Sequence, residues 1–224
     1  MPVDVSSRYN ETAKEFDASV DRSELLTGLT LLRRALGREV AGNVLEISVG
    51  TGRNMKYFNI AKCQSMTFVD RSGQMIEEAR AKFNGELGVV YQSNSIGLYP
   101  DYKNVVFYTQ DAAEPIAAPI GGYDTILQTM GLCSTPHPIQ LINNMSSLCS
   151  SSGRIILLEH GRSKYDFLNR LLDGLAPTHA QRHGCWWNKD IGEIVMESGL
   201  EVVEMKRYHF GTTWWIELRP QTNN

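Results

Sequence analysis

Apolar residues along this chain come in short runs rich in β-branched side chains, at 44–47, 66–69, 105–108, 125–127 and 154–158, with stretches of helical spacing between them. That alternation predicts βαβ units covering a largely parallel sheet. The pattern changes near the end. The runs 202–206 and 213–218 are separated by about six residues including Gly211, too few for a crossover helix, so the sheet is expected to finish on an antiparallel strand. The expected architecture is α/β, a seven-stranded sheet, mostly parallel with an antiparallel last strand, and helices on both faces.

Before the first strand, Leu25, Leu26, Leu29, Leu32 and Leu36 form one apolar stripe at helical spacing, with Ser23 placed to cap the helix. The stripe is expected to pack on the sheet, a membrane surface being the alternative, and residues 1–40 are read as covering helices. A second helical stretch, Phe167, Leu168, Leu171, Leu172 and Leu175, opens an insertion at 162–192 between the fifth and sixth strands. Its stripe either covers a pocket as a lid or completes the core. The tail 220–224 is expected to fray.

With 224 residues, 42% of them hydrophobic, the chain can bury one sizeable core, and a single domain spanning 1–224 is expected. A net charge of −3 supplies no broad cationic face, which argues against a nucleic-acid partner and for a small-molecule one. Cys63, Cys133, Cys149 and Cys185 are widely spaced and form no C-x-x-C pair, so reduced thiols are expected. The N-terminus lacks a basic region followed by an apolar run, and no stretch approaches a membrane span. A soluble, cytoplasmic chain is the expectation, peripheral membrane contact staying open, and a mitochondrial location is the alternative if a targeting segment precedes it.

Candidate chemistry starts where the first strand runs into a small-residue turn, Ser48, Val49, Gly50, Thr51, Gly52, followed by Arg53 and Asn54. Gly50 and Gly52 carry no Cβ and can take positive φ, so a ligand can approach the backbone there. Asp70, about 18 residues beyond Gly52, closes the second strand, where a carboxylate can accept from both hydroxyls of a ribose, or else cap a helix. After the third strand, Asp111 with Ala112 suits the exocyclic amine and ring of adenine, a turn-forming aspartate being the alternative. Glu46 lies between buried-looking Leu45 and Ile47, and a carboxylate there requires a partner. A third glycine over a pyrophosphate is missing, which argues against a dinucleotide.

With these motifs the chain resembles the class I S-adenosylmethionine-dependent methyltransferases along nearly its whole length, and the resemblance implies a Rossmann-like fold. Glu46 through Gly52 looks like their first motif, Asp70 with Arg71 and Met75 like the ribose motif, and Asp111 with Ala112 like the adenine-side motif. Ser48 stands where the first glycine of the usual motif would be. The implied cofactor is S-adenosylmethionine, with S-adenosylhomocysteine as product, and Glu46 would lie near its amino group. The stretch 9–17 looks like the N-terminal helix of quinone-biosynthesis C-methyltransferases. More specifically, 45–54, 131–134, 158–161 and 183–191 resemble the methyltransferase-like family that contains a yeast mitochondrial inner-membrane member and animal thiol methyltransferases. The yeast branch normally carries an N-terminal membrane segment, which this sequence does not show.

Methyl transfer is an in-line displacement on an electrophilic sulfonium, so alignment and exclusion of water matter more than a catalytic triad. Residues following the fourth and fifth strands should face the acceptor: Gln128, beside the cofactor, then Thr129, Met130, Cys133, Glu159 and His160. His160 is the candidate base by type, with a hydrogen-bonded structural histidine as the other reading. Tyr9, Cys133, His183 and Trp186 are expected to line the acceptor pocket. The residues His179, His183 and Cys185 suggest metal ligands but lack a clear fourth, and no metal is expected. The adjacent tryptophans, Trp186 and Trp187, anchor packing or cage a cation. Activity on a small, fairly apolar acceptor follows, either a thiol, a phenolic oxygen or a quinone-like carbon, with thiol first by resemblance. A cofactor-binding assembly factor with little turnover is the alternative.

Overall fold

A computed structural model describes residues 7–87 and 104–220 of the chain. The helix α1 (Arg8–Thr27) and helix α2 (Leu29–Glu39) precede strand β1 (Gly42–Ile47), followed by β2 (Cys63–Asp70), α3 (Gly73–Lys82) and β3 (Val105–Thr109). Then come β4 (Tyr123–Thr129), α4 (Pro138–Leu148), β5 (Cys149–His160), α5 (Asp166–His183), α6 (Ile191–Glu197), β6 (Glu201–Tyr208) and β7 (Thr213–Arg219). Seven strands form one sheet in the order β3-β2-β1-β4-β5-β7-β6. All neighbouring pairs up to β4–β5 are parallel, and β7 runs antiparallel to both β5 and β6. The mostly parallel sheet with an antiparallel last strand is as expected from the hydrophobic runs.

Alternate residues of each buried strand enter different cores, as the period of two requires. On β5, Ile155 and Leu157 pack with Leu141, Ile142 and Met145 of α4 and with Ile191 and Val195 of α6. Ile156 and Leu158 turn to the other face, against Leu36 of α2 and Ile76 and Ala79 of α3. The strand order reverses between β1 and β4, and that switch point opens a crevice at the carboxyl ends of the strands.

The leucine stripe differs from its reading. Ser23 lies inside α1, its hydroxyl donating to the Val20 carbonyl at 2.8 Å, and caps nothing. Gly28 takes φ 77° and returns its N–H to the Leu25 carbonyl, which ends α1 and starts α2 in a new direction. Leu36 is buried and Leu29 and Leu32 pack beside it, whereas Leu25 and Leu26 are exposed. The stripe of the later insertion also divides: Phe167, Leu171 and Leu175 face outward, while α5 buries Asn169, Ala176 and Ala180. The outward leucines therefore do not complete the core. Of the tail expected to fray, 221–224 lie outside the described residues.

Candidate functional site

A cavity of about 1080 Å³ opens at the carboxyl ends of β1, β2, β4 and β5, with residues of α1 and α5 over it. At one end stands the glycine turn. Gly50 has φ 57°, and a Cβ built on it would meet nothing within 4 Å, so the missing side chain leaves cavity space. Its N–H donates to Oδ2 of Asp70 at 2.8 Å, and the Ser72 N–H donates to Oδ1 at 2.8 Å. The Arg71 N–H is a third backbone donor to this carboxylate, which leaves about one of its roughly four lone-pair directions for a ligand hydroxyl. Burial pushes the Asp70 carboxyl up from its ordinary range, against the backbone donors that favour its charge.

Arg71, Met75, Asp111 and Ala112 border the same cavity. Arg71 pairs with Asp111 at 3.5 Å, and Asp111 also accepts from the Ala113 N–H at 3.0 Å. The second glycine does something else. A Cβ on Gly52 would strike the Met55 side chain at 2.8 Å, and its φ is 79°, so Gly52 shapes the turn and its packing and is not on the cavity wall. Ser48, where the resemblance leads one to look for glycine, holds the left-handed conformation at φ 54°. Its hydroxyl accepts from Gln128 Nε2 at 3.0 Å.

Glu46 and Gln128 lie beneath the cavity, fully buried, and not on its wall. Asn54 donates to Glu46 Oε1 at 2.7 Å. Among the described residues Glu46 Oε2 and Gln128 Oε1 have no hydrogen-bond partner. Burial pushes the Glu46 carboxyl up to about 8, with the Asn54 donor and Arg33 opposing the rise.

Arg33 escaped the sequence reading, which took only leucines from that helix. It is buried on α2 and grips Glu24 of α1 through two nitrogens at 2.8 and 3.0 Å. Its remaining NH1 donates to Asn54 Oδ1 at 2.8 Å and Thr129 Oγ1 at 3.0 Å. One guanidinium thus ties both N-terminal helices to the turn and to the end of β4. Beside it, Arg53 pairs with Asp17, Asp21 and Glu24, all between 2.8 and 2.9 Å. Thr51 and Lys82 also bond Asp17, and Lys82, Thr51 and Arg53 together overcome burial and hold its carboxyl down at about 2. The available signal for Arg33 was a lone arginine on the Leu29, Leu36 and Val40 side of an otherwise apolar stripe.

The other end of the cavity is built from Tyr9, Cys133, His160, Leu172, His183 and Trp187, among others. Tyr9 shares a 2.8 Å hydrogen bond with Ser134 and packs where a side chain on Gly184 would have to be. Of the expected acceptor residues, Tyr9, Cys133 and His183 border the cavity and Trp186 does not; its N–H donates to the Cys133 carbonyl at 3.0 Å. Its neighbour Trp187 takes the place, stacked on His179 with ring centroids 3.8 Å apart. Alternation along the chain after the α5 C-cap points adjacent indoles in different directions, and sequence alone does not say which faces in.

His160 is not free to act alone. Its Nε2 lies 3.4 Å from Cys185 Sγ, which is 3.1 Å from His179 Nε2. Burial opposes charge on this group of side chains, but hydrogen bonds from Cys185 and His160 and the imidazole charge hold the Cys133 thiol well below its ordinary range. The facing Cys133 in turn outweighs burial and raises His160. Behind them Glu159 is buried, accepts from the Gly131 N–H at 3.0 Å, and is pushed up to about 8 by burial first and Cys133 second. Of the three residues first considered as metal ligands, only Cys185 joins this group: the atoms that converge belong to Cys133, His160 and Cys185.

A family profile described as "Methyltransferase domain" matches residues 21–205. The chain belongs to that methyltransferase family. Among curated relatives, the methyltransferase domain is 38% identical over 226 residues to "Methyltransferase OMS1, mitochondrial" of Saccharomyces cerevisiae, covering 95% of this chain and 45% of that protein. It thus spans less than half of that relative's length. Among solved structures, the complex of DhpI with SAH superposes with a TM-score of 0.64 at 19% identity, covering 96% of this chain and 94% of the other. An O-methyltransferase family protein from Burkholderia thailandensis gives a TM-score of 0.69 at 14% identity, over 97% of this chain and 63% of the other. These likenesses support the Rossmann-like methyltransferase fold. Among the described residues no helix is long and apolar enough to cross a membrane.

Proposed function

We propose that this domain transfers a methyl group from S-adenosylmethionine to a small, fairly apolar acceptor, with a thiol ranked ahead of a phenolic oxygen or a quinone-like carbon. The observation that carries the reading is the Asp70 carboxylate: anchored by the backbone N–H groups of Gly50, Arg71 and Ser72, it borders a cavity that continues to the Cys133 and His160 end. The residues fit an adenosyl ligand. Asp70 would hold the ribose, Asp111 with Ala112 the adenine, and the cradle at Gly50 the path between. Glu46, one layer below and protonated, would brace the turn through Asn54.

When bound, the cofactor supplies an already electrophilic methyl, so the chain's part is to orient and to keep water out. Tyr9 and Leu172 reach over the acceptor end from the two covering helices, and we read 162–192 as a lid on that basis. His160 spends its Nε2 on Cys185, which favours its reading as a bonded member of a cluster over that of a lone base. The thiol ranking rests on the family resemblance, and the likeness to a mitochondrial yeast protein supports a mitochondrial location over a cytoplasmic one.

Calorimetric titration with S-adenosylmethionine and S-adenosylhomocysteine, with NAD as control, tests the reading. Both adenosyl ligands should bind and NAD should not. Asp70→Ala should lose on the order of 2 kcal/mol of affinity or more, as a buried donor–acceptor set is broken, with its circular dichroism unchanged. Equal affinity in the variant would reject the site, and binding without product across thiols, phenols and quinols would make the domain an assembly factor.

A further inference from the structure

Two thiols and an imidazole meet at the acceptor end of the cavity, although they lie far apart in sequence. Cys133 follows β4, His160 ends β5, and Cys185 comes directly after Gly184, which caps α5 in the left-handed conformation at φ 77°. Their Sγ, Nε2 and Sγ atoms lie within 4.8 Å of one another, and His160 to Cys185 is 3.4 Å. A tetrahedral zinc site, with metal–sulfur bonds of about 2.3 Å and metal–nitrogen bonds of about 2.0 Å, separates its ligand atoms by roughly 3.3–3.8 Å. Closing the trio to that geometry requires shifts of about an ångström or less.

The surroundings hold the three in place. Trp186 N–H bonds the Cys133 carbonyl at 3.0 Å, which fixes the segment bearing Cys185 against the one bearing Cys133. Lys189 Nζ donates to the carbonyls of Leu132 and Thr135 at 2.9 and 2.6 Å, one on either side of the cysteine. His179, held against Trp187, offers Nε2 to Cys185 Sγ at 3.1 Å, the kind of outer partner that orients a coordinating sulfur. All three converging residues border the cavity.

We propose that Cys133, His160 and Cys185 bind a thiophilic divalent cation, zinc in the ordinary case, leaving one coordination position toward the cavity. Three protein ligands and an open position are the pattern of reactive zinc sites, whereas structural ones close with four. The donor set selects the metal: two soft thiolates and an imidazole favour zinc over magnesium or calcium. This departs from the expectation of no metal, and it stands whether or not the domain transfers methyl groups. His160 becomes a ligand under it.

The test uses the full chain, purified under reductant and reconstituted anaerobically with zinc or cobalt(II). About one zinc per chain should survive dialysis, and the cobalt form should show thiolate-to-metal charge-transfer absorption. Cys133→Ser and Cys185→Ser should each weaken zinc binding by more than the roughly 10–100-fold that loss of an outer partner costs. Cys63→Ser should retain zinc and spectrum. Because a core cysteine variant can misfold, the wild-type chain gives a second readout: zinc should shield Cys133 and Cys185 from alkylation and leave Cys63 and Cys149 labelled. A cobalt spectrum without charge transfer, unshielded thiols, or a reduced protein that takes no metal and instead joins Cys133 to Cys185 in air would each overturn the proposal.

Discussion

Glu46 carries a proton that its unfolded counterpart would give up. Burial pushes its carboxyl to about 8, while an unfolded glutamate titrates near 4.3. The folded chain therefore binds the extra proton between those values, so the stability it contributes is complete below the unfolded value and lost as pH rises toward 8. We expect the wild type to lose roughly 3 kcal/mol from this group between pH 5 and pH 8. Glu46→Gln has no such proton, and its thermal unfolding profile should be flatter over that interval, Glu159 retaining its own share. Parallel profiles would mean that the carboxyl finds a partner in solution. Sequence showed that a carboxylate between Leu45 and Ile47 needs company, since strand alternation and flanking residues are local. It did not show that the company is Asn54 instead of a ligand, because that contact depends on how the glycine turn folds back.

At the scale of elements, the N-terminal helices are fastened by charge. α1 buries little beyond Ala13 and Glu24, and its hold on the turn runs through Arg33 and Arg53. Arg33→Met leaves Glu24, nearly out of water, with Arg53 as its remaining cation, which should cost up to about 3 kcal/mol, less than a fully orphaned buried charge. The expected result is a lower unfolding midpoint in denaturant at constant slope, and Arg33→Lys should recover only part of it, since an ammonium cannot copy the fork. A midpoint within error of wild type would show that Arg53 carries the contact alone. The central strands were readable from the hydrophobic runs because both their faces are covered, but not their ends: β5 spans Cys149–His160, where the apolar run covers only 154–158. The leucine stripe misled for a definite reason: the break at Gly28 redirects the helix, and leucines before and after it no longer share a face.

For the whole molecule, the sheet order puts the ends of β1, β2, β4 and β5 around one cavity, and it is this convergence that the sequence could not display. Glycine turn, Asp70 and Asp111 were found because each sits at a strand end within a recognisable local pattern. Cys133 and His160 were likewise expected at the acceptor side because they follow β4 and β5, but Cys185 becomes their neighbour only after α5 returns across the opening. The acceptor end is therefore the least legible part of the molecule, and the same holds for which of Trp186 and Trp187 lines it.

The contrast between a charge-fastened covering and an oil-packed sheet has a consequence for how this protein comes apart. Moderate sodium chloride screens the outer edge of this network, where Arg53 meets Asp21 and Asp17, and leaves the Arg33–Glu24 pair and the two apolar cores largely in place. Amide hydrogen exchange in residues 8–27 should accordingly rise only modestly as salt is raised, with β1, β4 and β5 protected throughout. Between low and high ionic strength the cover would loosen at its outer edge while the buried pair keeps it seated, so ligand dissociation rates would rise only slightly along the same axis.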